Sequence, residues 1–503
     1  MITRLKIDGF KNLVNVDLRF GPFTCIAGLN AVGKSNLFDA IRFLSDLSDK
    51  TLLDAAKSVR SEGQKNADIR SLFHHVGESG YYNDKMSFEV EMLISEDGID
   101  ELGQIAQASI TTVRYLLVLG LKKDRFYNGE GLIEILKEEL FPIRQSDFKK
   151  MIGFEASKDW KKSVIKGRKA TPFISTKESV IRLHQDNLKG RAFDRKAEQL
   201  PKTVLSSADA TQNPTALIVK NEMRSWRLLQ LEPSALRQSD EFHIIANAQL
   251  GPEGSHLPAT LYRLKLENDR TKDKPDVYSL LANRLTELVE DIDKIGVDKD
   301  DKRELLTLVV TDKEGTTHPA RSLSDGTLRF IGLAVLELDP KSSGVICLEE
   351  PENGIHPEKI TSVLRLLQDI AVDSSCAVDI DNPLRQVIVN THSPLVVQNI
   401  PEDSLLLAEL KEDLVEGKKI KFKKVVFSPL SRTWRTRIDT KSRPVSMGKL
   451  LSYLSASPAE RKQENSIVAE ESIPYVTHQQ TKRVIDREDI KQLKFSFPGE
   501  ERN

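Results

Sequence analysis

Four stretches of the chain carry residues whose types and spacing can do chemistry. The first, GLNAVGKS from Gly28 to Ser35, fits G-x-x-x-x-G-K-[S/T] without a mismatch. Its glycines let the backbone wrap closely, so that N–H groups point at phosphate oxygens, and a helix starting near Gly33 adds its positive end. Lys34 can reach the β- and γ-phosphates, and Ser35 offers a hydroxyl to Mg2+. Asn30 and Asn36, inside and just after the loop, belong to the same contact set. The second, VICLEEPENGIHP from Val345 to Pro357, runs four apolar residues straight into two carboxylates. Adjacent residues of a strand face opposite ways, so the acids can divide two jobs. Glu349 holds Mg2+ through water, and Glu350 polarises the attacking water. The third, SLSDGTLRF from Ser322 to Phe330, places Ser324 and Gly326 at a helix start, a second anion site. By itself that tetrapeptide reads as a helix cap, and Glu-Glu-Pro by itself as a solvated turn; the phosphate loop is what gives both a use. The fourth, VIVNTHSP from Val387 to Pro394, ends an apolar run in Thr391, His392 and Ser393, where His392 can sense a γ-phosphate.

These side chains need strands that stop abruptly and helices that start there. MITRLKIDGF alternates like a half-buried strand, and Leu18 to Phe20 read as the end of a second. PFTCIAGLN at 22–30 is a short apolar run broken at Gly28, and SNLFDAIRFLSDL follows with Leu37, Ala40, Ile41 and Leu44 at helical spacing. MSFEVEMLI at 86–94 and ELLTLVVTD at 304–312 read as strands, the latter ending in a turn at Lys313–Gly315. LPATLYRLKLE at 257–267 and VYSLLANRLTELVEDI at 277–292 read as helices. GVICLEE at 344–350 and RQVIVNTH at 385–392 are near-continuous apolar runs, the mark of strands buried on both faces.

Between about 100 and 215 the pattern changes. IEILKEELF reads as helix, and glycine turns are few, which predicts an inserted, largely helical lobe. Residues 146–202 hold fifteen Lys or Arg against seven Asp or Glu, a local charge of about +8 in a chain whose formal net charge is −1. Nucleic acid would therefore be met locally, with Trp160 and Phe173 as candidates to stack bases; a solvated helical surface is the plainer reading. Lys418 to Lys449 carries eleven Lys or Arg and one acid, a possible grip on a partner or on phosphates, and a polar tail follows beyond 456. Three cysteines do not make a disulfide framework, and two of them, Cys25 and Cys347, sit in apolar runs as small buried hydrophobes. No stretch reaches the ~18 apolar residues of a membrane span, so the expected location is the cytoplasm with no membrane partner.

The order phosphate loop, Leu-Ser-x-Gly, acidic strand, histidine resembles the ABC-type ATPases of the RecF, SMC and OLD group. The resemblance covers about 1–95 and 225–410. It implies an α/β fold: an ABC-type P-loop ATPase head with a mixed sheet, its N-terminal part at 1–99 and its C-terminal part at 225–410. The lobe at 100–224 and a C-terminal basic segment and polar tail at 411–503 lie outside it. By this resemblance Gly28 to Ser35 is the Walker A loop, Ser324 to Arg329 the signature, Glu349 and Glu350 the Walker B pair and His392 the switch histidine. Gly9 to Asn12, GFKN, is similar to the group's N-terminal motif and places Asn12 near the adenine.

The group's magnesium acid is mostly Asp, and Glu349 in its place implies slow turnover. Glu352 to Pro357 matches the short D-loop of the OLD-like ATPases. The resemblance further implies that two copies bury ATP and Mg2+ between them, the signature of one facing the phosphate loop of the other. No early Glu with a later Asp-x-Asp follows His392, and Asp379 and Asp381 precede its strand, so no Toprim nuclease is expected in this chain. A lone ATPase of this kind resembles the ATPase subunit of two-gene anti-phage systems such as Septu, with that of PARIS as the near alternative. Its partner would then be an effector, a nuclease by preference, encoded nearby. A RecF-like DNA-repair ATPase and a slow ATP-binding scaffold are the competing expectations.

Overall fold

Five parallel strands, three of them stopping where a functional residue begins, form the centre of the chain. A computed structural model describes residues 1–59, 69–77, 81–123, 131–186, 193–270, 275–415, 420–439, 443–455 and 483–487. The six-stranded sheet runs, in spatial order, Arg227–Leu229, Gly344–Glu349, Arg385–Thr391, Phe23–Ala27, Leu405–Leu414 and Lys421–Pro429; all neighbours are parallel except the last pair. Register aligns Glu349 with Asn390 and Thr391 with Ala27, so the acid strand, the histidine strand and the phosphate-loop strand end side by side. Ligands gather at such carboxyl ends of parallel strands.

The near-continuous apolar runs follow from burial on both faces. Ile26, Val345, Cys347, Ile388 and Leu406 pack into one hydrophobic core. Their neighbours Cys25, Ala27, Ile346, Leu348, Val387, Val389 and Leu407 pack into a second core on the other face. The first core also takes in helices Lys34–Leu47 and Pro214–Arg224 and an eight-stranded antiparallel sheet; the second takes in helices Leu257–Asp269, Val277–Thr286, Asp325–Leu338 and Ile360–Ile370. Gln386, fully buried, bolts the two sheets together. Its amide accepts from Ile2 N (2.9 Å) and donates to Ile2 O and Gly21 O (2.8 Å each). Cys25 and Cys347 are buried and unpaired, as their apolar settings predict.

The stretch predicted as a largely helical lobe holds more strand than helix among the described residues. Thr112–Lys123 and Gly131–Pro142 form a long hairpin that extends the strands Val16–Arg19, Ile2–Asp8 and Lys85–Leu93, and Ile174–Lys177, Val180–Leu183 and Phe193–Lys196 complete the sheet. IEILKEELF misleads for a physical reason. The register slips between Ile135 and Lys137, so the inward residues fall at Ile135, Glu138 and Leu140. A bulge thus mimics the three-residue step of a helix in a segment rich in Glu and Lys. Among the described residues of this region, α-helix is limited to Phe148–Met151, Lys158–Val164 and Pro214–Arg224, with three short 3-10 turns besides. Trp160 and Phe173 are both 0% exposed, and Trp160 packs edge-on to Phe154, so neither ring is available to stack a base. The predicted basic segment is crossed by strand Lys421–Pro429, where Lys424 pairs with Asp413 at 2.5 Å. Its residues 418, 419 and 440–442, and the tail beyond 456 save 483–487, lie outside the described residues. No described helix is long and apolar enough to cross a membrane.

Candidate functional site

The loop that leaves strand Phe23–Ala27 is shaped by two close approaches. A Cβ on Gly28 would sit 2.7 Å from Ala408 O. Gly33, with φ +101°, begins helix Lys34–Leu47, and a Cβ there would fall 2.2 Å from the Asn12 side chain. Left-handed backbone at such a crowded point leaves glycine as the residue that fits. Asn12 braces the loop from outside: its amide donates to Val32 O (3.1 Å) and its oxygen accepts from Asn36 Nδ2 (2.8 Å). No side chain caps the helix, so its first amides remain open to an anion.

Lys34 is buried and curls back onto its own loop, donating to Gly28 O (2.7 Å) and Leu29 O (2.9 Å). Burial lowers its pKa; the carboxylates Glu350, Glu349 and Glu352 act the other way. A cation held only by two carbonyls, beneath uncapped amides, is set to exchange those carbonyls for phosphate oxygens.

Opposite the loop, Asn390 and Thr391 at the end of the histidine strand and His392 just beyond it each hold a different acid. Asn390 Nδ2 donates to Glu349 Oε1 (3.1 Å), the buried Thr391 hydroxyl donates to Glu352, and His392 Nδ1 lies 2.7 Å from Glu350 Oε1. The alternation of a strand sends these side chains to opposite sides, and the acids follow. Glu350 also accepts from Asn353 Nδ2 (2.8 Å), and its backbone takes the left-handed φ of 45° that turns it out of the strand. Partial burial pushes the Glu350 pKa up, but hydrogen bonds from Asn353 and His392, with the charges of His392 and Lys34, hold it below the ordinary value.

Asn12, Asn30, Ala31, Gly33, Lys34, Ser35, Asn36, Glu349, Glu350 and Asn390 line one cleft of about 440 Å3. It brings together eight of the twelve residues that the sequence nominates; Gly28 and His392 adjoin it through Lys34 and Glu350 without lining it. Its chemistry suits a magnesium nucleotide: an ammonium and open amides for phosphates, and the hard oxygens of Ser35 and Glu349 for Mg2+. Sequence reasoning missed Asn390 and Asn353, which fix the two acids; the signal was an Asn beside the Thr-His of VIVNTH and another two residues after Glu-Pro.

Ser324 and Gly326 do not line this cleft. Ser324 is exposed and caps helix Asp325–Leu338, accepting from Thr327 N at 3.2 Å. Gly326 is pressed against the turn after the acids, where a Cβ would meet Gly354 O at 2.5 Å. Arg329 donates to Asn353 O, so this helix start is tied to the turn that also anchors Glu350.

Comparisons with known proteins place these residues in a family. A family model described as "AAA domain, putative AbiEii toxin, Type IV TA system" matches residues 23–100 and 120–398. The chain is 35% identical over 65 residues to the DNA replication and repair protein RecF of Phocaeicola vulgatus, covering 13% of this chain and 18% of that one. It is 28% identical over 142 residues to RecF of Porphyromonas gingivalis, covering 25% and 36%. It is 21% identical over 388 residues to the structural maintenance of chromosomes protein 2 of Saccharomyces cerevisiae, covering 73% and 30%. The chain therefore spans 18% to 36% of the length of these curated relatives. Among solved structures it is similar to an Smc head bound to the C-winged helix domain of ScpA, at 15% identity and TM-score 0.47, covering 86% of this chain and 99% of that one. It is also similar to the SMC head domain from Thermotoga maritima, at 13% identity and TM-score 0.36 over the same shares. The family model takes in every cleft residue but Asn12 and well over half of the sequence, and on that extent of match the chain belongs to the AAA domain family so described, an ABC-type ATPase similar to RecF and SMC proteins.

Proposed function

We propose that this cleft binds ATP with Mg2+, that two copies of the chain complete each other's sites, and that slow hydrolysis controls a separate effector. The observation that carries the reading is the end of the histidine strand, where residues 390, 391 and 392 each fix one acid beside the phosphate loop. Lys34 exchanges the carbonyls of Gly28 and Leu29 for β- and γ-phosphate oxygens. Asn30 and Asn36 flank the phosphates, and Asn12 braces the loop on the adenine side. Ser35 and Glu349 hold Mg2+, which when bound neutralises phosphate charge. Glu350, kept ionised by His392 and Asn353, accepts the proton of the attacking water. His392 senses the γ-phosphate through the same contact. Glu349 reaches one methylene farther than the usual Asp, which loosens the metal geometry and slows turnover.

Exposed Ser324, outside the lining of its own cleft, supports the shared site: it is accessible to phosphates held by a second copy. The test is Ser324→Arg. It is expected to leave ATP binding intact while turnover loses its dependence on protein concentration and falls to background. Full-rate hydrolysis by monomeric wild-type protein sinks the shared site.

An effector partner, a nuclease by preference, is supported by the toxin–antitoxin description of the matched family and by the resemblance to anti-phage ATPases such as that of Septu. A second reading, a RecF-like ATPase whose output is DNA binding, is favoured by the two RecF matches. Turnover measured with and without duplex DNA, beside a pull-down with the neighbouring gene product, separates them. Stimulation by DNA with no captured partner favours the second.

A further inference from the structure

The C-terminal segment returns to the back of the phosphate loop. Helix Met447–Leu454 turns Leu450 and Tyr453 inward and packs on helix Pro394–Asn399, which starts two residues after His392. Farther along, Val484 is fully buried, its amide donates to Ile400 O (3.1 Å), and Arg487 reaches Glu402 (2.8 Å) and Ser431 Oγ (3.1 Å). Two pieces of the same segment thus pack against one short helix that follows the histidine.

Tyr453 is 8% exposed, and its hydroxyl, shut off from water, finds no acceptor for its proton among the described residues. The phenol faces the Gly28 amide, which already donates to Thr391 O (3.2 Å), and shares its surroundings with Cys25 and Glu352. Glu352 is 9% exposed; one carboxylate oxygen accepts from Thr391, and the other is equally shut off and equally without a partner. A buried donor and a buried acceptor left unmet in one neighbourhood are costly. Such a pair is retained where another state of the molecule, or a trapped water, satisfies it.

We propose that Tyr453 is a positioning residue for ATP hydrolysis: when nucleotide draws Lys34 off the carbonyls of Gly28 and Leu29, the phenol O–H donates to the free oxygen of Glu352. The contact, direct or through one water, clamps the C-terminal helix to the turn that carries Glu350. The nucleotide state of the cleft is thereby passed to residues beyond 454. This rests on the reading that ATP is bound and hydrolysed in the cleft.

The test uses the full chain and its variants Tyr453→Phe, Glu352→Gln and Glu352→Ala, with ATP binding, ATP turnover, and melting with and without Mg-ATP. Tyr453→Phe is expected to melt, without nucleotide, at or just above the wild-type temperature, because it removes a group that is unsatisfied there. Its KM for ATP stays unchanged, its kcat falls roughly tenfold, and its ATP-induced rise in melting temperature shrinks. Glu352→Gln keeps an oxygen that can accept the phenol proton and retains most of kcat. Glu352→Ala matches Tyr453→Phe, and the double variant is no slower than Glu352→Ala. A Phe variant with wild-type kcat and a wild-type ATP-induced shift overturns the clamp. So does one that is destabilised without nucleotide, since the hydroxyl would then already be engaged. Wild-type protein that binds ATP without turning it over defeats the hydrolysis reading alone, and the ATP-induced shift still decides the clamp. Protein that binds no ATP defeats both.

Discussion

The cleft and the interior of the antiparallel sheet each place a carboxylate among polar partners, and they do so to opposite ends. Glu138, on strand Gly131–Pro142, is 0% exposed. Its Oε1 accepts from Leu205 N (2.8 Å) and the Tyr115 hydroxyl (3.1 Å), and its Oε2 from Val204 N (2.7 Å). Its own amide donates to Thr176 Oγ1 (3.0 Å), and that hydroxyl donates back to Glu138 O (2.7 Å). The chain itself meets both carboxylate oxygens. In the cleft the helix amides are uncapped, Lys34 leans on carbonyls, and Glu350 stays partly open to water. A polar cluster closed by its own chain fixes a loop, whereas one left open is built for something that arrives.

The largest expected effect separates the two outright. Lys34→Ala is expected to weaken ATP binding roughly a thousandfold, about 4 kcal/mol, while the melting temperature moves little. Glu138→Ala is expected to do the reverse. It strands the amides of Val204 and Leu205 and costs about 3 kcal/mol of stability, with ATP affinity kept by the protein that remains folded. Titration calorimetry and urea denaturation on both variants read the four numbers. A Lys34→Ala chain that unfolds, or a Glu138→Ala chain that stays stable and loses only ATP, breaks the contrast.

Within the cleft the same logic divides the two acids. Glu350→Gln keeps the contact with Asn353 but cannot take a proton, so turnover is expected to fall about 100-fold or more with Mg-ATP still bound. Glu349→Gln is expected to raise the Mg2+ concentration needed for half-maximal rate. Rates measured across a Mg2+ series show whether the roles divide; matching losses in both variants would merge them.

The parallel sheet was legible in the sequence because burial on both faces leaves an unbroken apolar run, as in VICLEE and VIVNTH. Each run stops at the chemistry it delivers. The antiparallel sheet was not legible. Strand Gly131–Pro142 has one face in the core, a bulge at its middle and Glu138 pointing inward, so its pattern reads as an amphipathic helix. Trp160 and Phe173 looked like base-stacking rings because they sit among lysines, yet lysines on the surface say nothing about where a neighbouring ring points. The lysine and the acid pair were readable from motif spacing, but Asn353, Asn390 and Tyr453 were not. Their contacts depend on strand register and on a helix that returns from the far end of the chain.

The last expected effect is one of pH, and the two clusters differ in its sign. Burial pushes the Glu138 carboxyl up to about 7, against the amides of Leu205 and Val204 and the Tyr115 hydroxyl, which favour the charged form. The folded chain therefore keeps a proton that the unfolded chain releases near the ordinary carboxylate value of 4.5. Where the folded state binds the extra proton, stability falls as pH rises. This group's contribution is thus greatest below about 4.5, declines between there and about 7, and is level above. With a shift of roughly 2.5 pH units at 1.36 kcal/mol each, the decline is on the order of 3 kcal/mol. Glu350 is held below its ordinary value, so it adds stability above that value and loses it only as the solution becomes acid. Urea denaturation at pH 5, 6, 7 and 8 is expected to show the stability of wild type relative to Glu138→Gln declining from pH 5 to about 7 and levelling off by pH 8. The same difference against Glu350→Gln is expected to stay flat over that range, because both folded and unfolded Glu350 are already ionised. A flat line for Glu138, or one that rises, means that the amides of the 203–207 segment outweigh its burial, and the closed cluster then titrates like the open one.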